Sequence, residues 1–156
     1  FCLAEGKGIG KGFGDAALLV TASGDVLCAY NGGSGIWAST LDNPQRNYIC
    51  RSSDGGKTWS EPEDCTFRLW GPDADNAGCR SFHSAFFASG NGLCLKKGRY
   101  AGRIMFVAAV HSLKLNRFDN YVYYSDDEGQ SWKVSECAFR GGDEAKVWNF
   151  PTGRSC

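Results

Sequence analysis

The chain has 156 residues, enough for one ordinary domain with a sizeable core, and its Lys+Arg and Asp+Glu counts are both 17. With no net charge it has no overall field to draw in nucleic acid or an anionic membrane surface. A composition of 42% hydrophobic residues, 21 glycines and a single methionine favours strands and turns over helices, and the longest apolar run, Ile104 to Val110, is far too short to span a bilayer.

The chain opens on Phe1-Cys2 without a signal-peptide pattern, as expected of a mature or trimmed form. Gly6-Lys7-Gly8-Ile9-Gly10-Lys11-Gly12 lacks the strand-to-helix setting of a phosphate loop and reads as a flexible leader. Ala16 to Thr21 is a buried-strand run, Ala22-Ser23-Gly24-Asp25 a tight turn, and Val26 to Tyr30 the antiparallel return. A glycine-rich loop from Asn31 to Gly35 leads through Trp37 and the polar stretch Ser39 to Gln45 to a third strand, Arg46 to Arg51. Cys65 to Leu69 is predicted as a fourth, outer strand.

A second unit repeats this order. Phe82 to Ala88 and Leu93-Cys94-Leu95 flank Gly90-Asn91-Gly92, predicted as a hairpin turn, and Arg103 to His111 makes a strong strand. Asn120 to Tyr124 and Lys133 to Phe139 complete the unit, and Ala145 to Phe150 starts a third. The units span 13–70 and 82–140, with 141–156 as the beginning of another. Two such sheets leave unpaired edges and cannot close a ring, so the remaining sheets are expected from the same parent chain, the preferred reading, or from other subunits, unless the two sheets pack as a sandwich.

The third strand and its counterpart each run into one pattern, S-x-D-x-G-x-[ST]-W. It occurs as Ser52-Ser53-Asp54-Gly55-Gly56-Lys57-Thr58-Trp59 and as Ser125-Asp126-Asp127-Glu128-Gly129-Gln130-Ser131-Trp132. Asp accepts from backbone N–H groups further along, Gly supplies the positive φ of the reversal, and Trp leaves the turn to fill an apolar gap between sheets. Two copies in matching strand contexts mark a repeat whose unit is a small sheet.

Eight dispersed cysteines, with no C-x-x-C pair and only His83 and His111 beside them, read as disulfides of a secreted or cell-surface protein rather than as a metal site. The expected pairs are Cys28–Cys50, on adjacent strands, and Cys65–Cys79. No N-x-[ST] sequon is present. His83-Ser84 and His111-Ser112 invite a nucleophile reading, but neighbours on a strand point to opposite faces and do not bond to each other. Trp37, Trp70 and Trp148 are candidates for stacking on sugar faces, whereas Trp59 and Trp132 belong to the turns. No cofactor and no metal is called for.

The repeated turn resembles the Asp box of the sialidase-type β-propellers, and the resemblance extends along the chain. Phe13 to Thr21 lies over the family's first strand, and Thr40-Leu41-Asp42-Asn43 over the loop that carries its acid/base Asp. Gly102 to Ala108 with Tyr124 to Gly129, and Asp143-Glu144-Ala145-Lys146-Val147-Trp148-Asn149-Phe150-Pro151-Thr152-Gly153-Arg154, are similar to two later segments. The resemblance implies an all-β chain of four-stranded antiparallel blades, about two of a six-bladed ring. It implies a glycosidase that cleaves or transfers terminal sialic acid or a related acidic sugar. Asp42 would protonate the leaving oxygen, and Glu144 would activate a Tyr nucleophile. Arg46 and Arg103 are the candidates for contacting an anionic substrate, since guanidinium forks suit carboxylates. The chain departs from the family at Gly14, where the first Arg of the carboxylate clamp is expected. With further Arg and the Tyr unmatched, the isolated chain is expected to be inactive; the competing reading is a non-catalytic, lectin-like or assembly module.

Overall fold

The first strand is not a simple one: it carries a break in its pairing that later aims a carboxylate. In the structure, a computed structural model that describes residues 3–7 and 12–148, β1 (Phe13–Val20) pairs antiparallel with β2 (Val26–Gly33). The register shifts between Gly14 and Ala17, and Asp15 sits in the left-handed region at φ 52°. This is a β-bulge, and the short polar side chain of Asp makes the conformation tolerable. β2 pairs in turn with β3 (Gln45–Ser52), and β3 with the two-residue β4 (Glu63–Asp64).

The expected outer strand Cys65–Leu69 is instead a short helix, α1 (Thr66–Leu69). Asp64 turns the chain there by accepting from Thr66 N–H at 3.0 Å and from the Thr66 hydroxyl. Thr66 and Leu69 then fall on one buried side of the single turn, which a strand spacing would have split between two faces.

The second sheet is built from β5 (Ser84–Phe87), β7 (Leu93–Cys94), β8 (Ile104–Ser112), β9 (Arg117–Ser125), β10 (Lys133–Val134) and β11 (Phe139–Arg140), while β6 (Gly90–Asn91), between β5 and β7, joins the first sheet. Gly90-Asn91-Gly92 is not a hairpin turn. β5 and β7 run the same way along β8, Phe87 opposite Ala108 and Leu93 opposite Met105. The residues between them bulge out, and β6 pairs parallel with β1 of the first sheet. Gly92 makes this approach possible, because a Cβ there would lie 2.6 Å from Phe106 and 2.7 Å from Leu19. The expected strand Lys133–Phe139 is likewise two short ones, both paired to β9. No strand forms at 145–148, and Ala145 N–H turns back to the Asp143 carbonyl at 3.0 Å. Residues 149–156, with Cys156 and the resemblance from Asn149 to Arg154, lie outside the described residues, as do Phe1, Cys2 and 8–11 of the glycine-rich leader.

One face of the first sheet (Ala17, Leu19, Leu27, Ala29, Ile49) packs on Phe87, Phe106, Tyr121 and Tyr123 of the second. The opposite face carries Cys28, Tyr30 and Cys50, covered in part by Leu3, Ala4, Tyr48 and Trp59. Two buried asparagines join the sheets. β5 is the edge strand nearest the first sheet, and the backbone of Ala85 and Phe87 points away from β8. Asn31 Oδ1 accepts from Phe87 N–H at 2.8 Å and its Nδ2 donates to the Phe87 carbonyl at 3.0 Å. Asn47 Nδ2 donates to Asn31 Oδ1 and to the Ala85 carbonyl, each at 3.0 Å.

Both repeated turns close in the same manner. Asp54 Oδ1 accepts from Lys57 and Thr58 N–H at 2.9 Å, and Oδ2 from the Thr58 hydroxyl at 2.6 Å. Asp127 does the same for Ser131 N–H at 2.8 Å and its hydroxyl at 2.5 Å. The turns need positive φ at their fourth and fifth positions, supplied by Gly55 and Gly56 in one and by Glu128 and Gly129 in the other. Trp132 fills the gap between the sheets, stacked on Tyr123 at 4.8 Å, while Trp59 packs half-buried on the outer face of the first sheet. The Cys28–Cys50 and Cys65–Cys79 pairs are not closed: the six cysteines among the described residues are free. Burial pushes Cys28 up to about 11 and Cys79 up to about 12.

Asn31→Ala is expected to lower stability by about 3 kcal/mol, because it orphans the buried edge groups of Phe87; urea unfolding should show a lower midpoint at an unchanged slope. The Asp54 carboxyl is held down at about 2 from 3.8, chiefly by the Thr58 hydroxyl and N–H and by Ser52. A depressed folded-state value means that its stabilisation is full above 3.8 and drains as pH falls towards 2. Asp54→Asn should therefore flatten the acid-unfolding slope in that window, read by circular dichroism against pH.

Candidate functional site

The bulge in β1 and the start of β3 face the loop after β11 across a groove of about 360 Å³ at one end of both sheets. Asp15, Trp37, Gln45, Phe118, Asp143 and Glu144 line it. The two repeated turns close the opposite end, since they follow the C-terminal ends of β3 and β9, whereas Gln45 and Phe118 stand at or next to the N-terminal starts. Asp54 and Asp127 are thus structural and remote from the groove.

Each wall has an identifiable support. Asp15 Oδ2 accepts from the buried Asn31 Nδ2 at 3.3 Å, so the asparagine that joins the sheets also steadies this carboxylate. Gln45 N–H donates to Ser39 Oγ at 2.9 Å, while its Oε1, buried, has no hydrogen-bond partner. Trp37 is 68% exposed. Its ring is nonetheless placed edge-on against His111 at 4.8 Å and Phe118 at 5.6 Å. His111 lies under it with neither ring nitrogen partnered, and burial first, then His83, lowers its proton affinity. A neutral imidazole is therefore packed as an aromatic plate behind Trp37.

The segment that carries Asp143 and Glu144 is tied to β9. Asn120 Nδ2 donates to the Asp143 carbonyl at 2.7 Å, and Gly141 N–H donates to Asp119 Oδ1 at 3.0 Å. Asp119 also takes a two-pronged bond from Arg117, at 2.9 Å on each side. Burial works to raise the Asp119 carboxyl, but the Arg117 fork and the Gly141 N–H outweigh it and hold the group below its ordinary value.

Glu144 is thus brought into a formed groove, and Asp42 is not beside it. Asp42 is exposed in a turn closed by Thr40 N–H on the Asn43 carbonyl at 3.2 Å and Asn43 N–H on Thr40 Oγ1 at 3.0 Å. It belongs to the same loop as Trp37, yet the loop turns Trp37 rather than Asp42 to the groove. Arg46 pairs with Asp64 at 2.7 Å and lies over Phe67. Arg103 grips Asp126 through two bonds of 2.7 and 3.0 Å, between the rings of Tyr100 and Tyr124, at the end of the sheet where the turns lie. Neither arginine lines the groove. Trp70 is buried at 1% exposure and has no face to offer a sugar, while Trp148 is exposed.

Sequence reasoning passed over Asp15, Gln45 and Phe118. The dipeptide Gly14-Asp15 at the head of an apolar strand was the available signal, because Gly and Asp are the residues that accept a bulge.

No protein-family model matches the chain. Over 109 residues, 68% of this chain and 15% of the relative, it is 33% identical to a sialidase of Micromonospora viridifaciens. The chain therefore spans only about 15% of the length of that curated relative. Among solved structures it resembles a Hadza microbial sialidase, with TM-score 0.68 and 23% identity over 84% of this chain and 25% of the other. It also resembles the intramolecular trans-sialidase from Ruminococcus gnavus solved with oseltamivir carboxylate, with TM-score 0.71 and 13% identity over 93% of this chain and 49% of the other.

Proposed function

Because this chain belongs to the sialidase superfamily and folds as blades of its β-propeller, we propose that it is part of a glycoside-processing protein acting on glycans that end in sialic acid or a related acidic sugar. The observation that supports this reading is the gathering of Glu144, Asp143 and Asp15 around the exposed ring of Trp37 in one groove. Carboxylates accept from sugar hydroxyls, and an aromatic face covers the apolar side of a sugar ring. Glu144 is proposed as the base that serves a Tyr nucleophile from the rest of the parent protein. Asp42, on the loop that carries Trp37, is proposed as the acid. The Asp-box turns hold the blades, residues 13–70 and 82–140 are two of them, and 141–156 begin another. The remaining blades would cover the outer face of the first sheet, where Leu18 and Val20 are exposed. The isolated chain binds without turning over.

The test is glycan binding by the isolated chain, and turnover by the parent protein. Trp37→Ala and Glu144→Gln should each weaken binding about tenfold or more while leaving the thermal midpoint within about 2 °C, since both sites are exposed. Unchanged binding in both variants sinks the reading.

The same reading places the protein outside the cell or at its surface. No helix among the described residues is long and apolar enough to cross a membrane. There Cys28 and Cys50, directly opposite each other on β2 and β3, would be oxidised by exchange with a small-molecule disulfide, giving one Cys28–Cys50 bond and two reduced thiols. Protein recovered from the native source should then resist alkylation at both residues until reduced; free thiols at both would count against export.

A further inference from the structure

Two cysteines far apart in the sequence are brought to one place at the rim of the second sheet. Cys79 ends a single helical turn, Ala77–Cys79, in the segment that links the two sheets, and its side chain is buried. Cys137 lies half-buried between β10 and β11, packed against the same core.

Asn76 fastens the two segments together. Its Oδ1 accepts from Gly78 N–H at 2.7 Å and its carbonyl from Cys79 N–H at 2.9 Å, while its Nδ2 donates to the Ser135 carbonyl at 2.6 Å. Val134 stands opposite Tyr123 and Phe139 opposite Asn120, so Ser135 to Ala138 face only Tyr121 and Val122 of β9. The extra residues form a bulge, and Cys137 is on it. Its two ends are held by Ser135 N–H on the Val122 carbonyl at 2.9 Å and Ala138 N–H on the Asn120 carbonyl at 2.8 Å.

Bulge and helical turn meet at Tyr121. The ring is buried and edge-on to Phe82 at 6.1 Å, and its hydroxyl comes within 3.5 Å of where a Gly78 Cβ would stand. Burial raises both the Tyr121 hydroxyl and the Cys79 thiol, the two are bonded to each other, and Cys137 lies close enough to act on each. Cys65, the partner expected for Cys79 from the sequence, is held elsewhere, its thiol donating to the Asn47 carbonyl of the first sheet at 3.2 Å.

We propose that Cys79 and Cys137 are a redox pair, whose disulfide pins the connection between the sheets to the rim of the second. The pair does not rest on the glycan reading, and it needs no further blade, because both thiols and the residues that place them belong to this chain. Cys137 is the thiol that solvent reaches, so it meets the oxidant. Its thiolate attacks one sulfur of a small-molecule disulfide, RS–SR, forming a Cys137 Sγ–SR bond and releasing RS⁻. Cys79 then attacks Cys137 Sγ, forming the Cys79–Cys137 bond and expelling the second RS⁻. The two cysteine protons pass to the two RS⁻, so the protein loses two electrons and RS–SR gains them as two RSH. The Tyr121 hydroxyl donates to the Cys79 sulfur and so favours the thiolate that the second step needs. The bond closes a loop of about 60 residues, which restricts the unfolded chain and should raise the thermal midpoint by about 10 °C.

The reduced 156-residue protein is equilibrated with glutathione disulfide, alkylated in denaturant, digested without reductant and mapped by mass spectrometry. A peptide pair joined through Cys79 and Cys137 is expected. Cys79 joined to any other cysteine, Cys79 alkylated as a free thiol, or a glutathione adduct that stays on Cys137 overturns the inference. Cys137→Ser, at a half-buried position, leaves the core thiol in place and is the second arm. With reductant its midpoint should lie within about 2 °C of the unaltered protein's, and after the oxidant about 10 °C below it. Equal midpoints after oxidation also overturn the inference, since Cys28 and Cys50 are present in both proteins and any bond between them cancels from the comparison.

Discussion

The structure depends on how one edge strand is satisfied. β5 has β8 on one side and no strand on the other, so the outward backbone groups of Ala85 and Phe87 would be stranded in the core. Asn31 and Asn47 meet them with side-chain amides that are themselves fully buried and bonded to each other. Asn31 uses both the donor and the acceptor of its amide on Phe87, and Asn47 adds a donor to the Ala85 carbonyl, so side chains of the first sheet stand where a further strand would have paired. The contact is directional, and it therefore fixes the position of one sheet against the other where apolar packing alone would allow sliding.

From that join the rest follows in two directions. Towards one end, β6 crosses over to pair with β1, Trp132 fills the seam, and the second turn locks onto the first sheet through Ser23 N–H on Glu128 Oε1 and through Arg51, which also pairs with Asp25 at 2.6 Å. This end is closed by those bonds. Towards the other end, the sheets part, Asn31 reaches Asp15, and the groove opens between them. Structural and groove-lining carboxylates are thus separated by the length of the strands: Asp54 and Asp127 are bound by their own turns, whereas Asp15, Asp143 and Glu144 line the groove.

Much of the site was legible in part. Glu144, named by the resemblance, lines the groove on a segment that Asn120 and Asp119 tie to β9 through Asp143 and Gly141. Trp37 was named only as an exposed aromatic, and the placement on His111 and Phe118 gives it a defined position. Asp42 was nominated from its distance before the first turn. Distance along a loop does not fix direction, and here a turn closed by Thr40 and Asn43 leaves Asp42 outside while Trp37 goes in. Arg46 and Arg103 were chosen for their chemistry, but each found a carboxylate nearer to hand, Asp64 and Asp126, that sequence separation concealed.

The sequence by itself determined the two repeated turns, because every bond in them lies within eight residues, and the alternation of the long strands, because a strand's two faces are written at every second residue. It determined the family as well, through those same local patterns. Tertiary structure alone decided that Gly90-Asn91 crosses between sheets and that the carboxylate of Asp15 meets Asn31 at the groove. In each case the deciding partner lies far along the chain or is a backbone group without a side-chain signal. The edge of β1 that takes β6 and the amide of Asn31 are facts of assembly, and no local pattern records them.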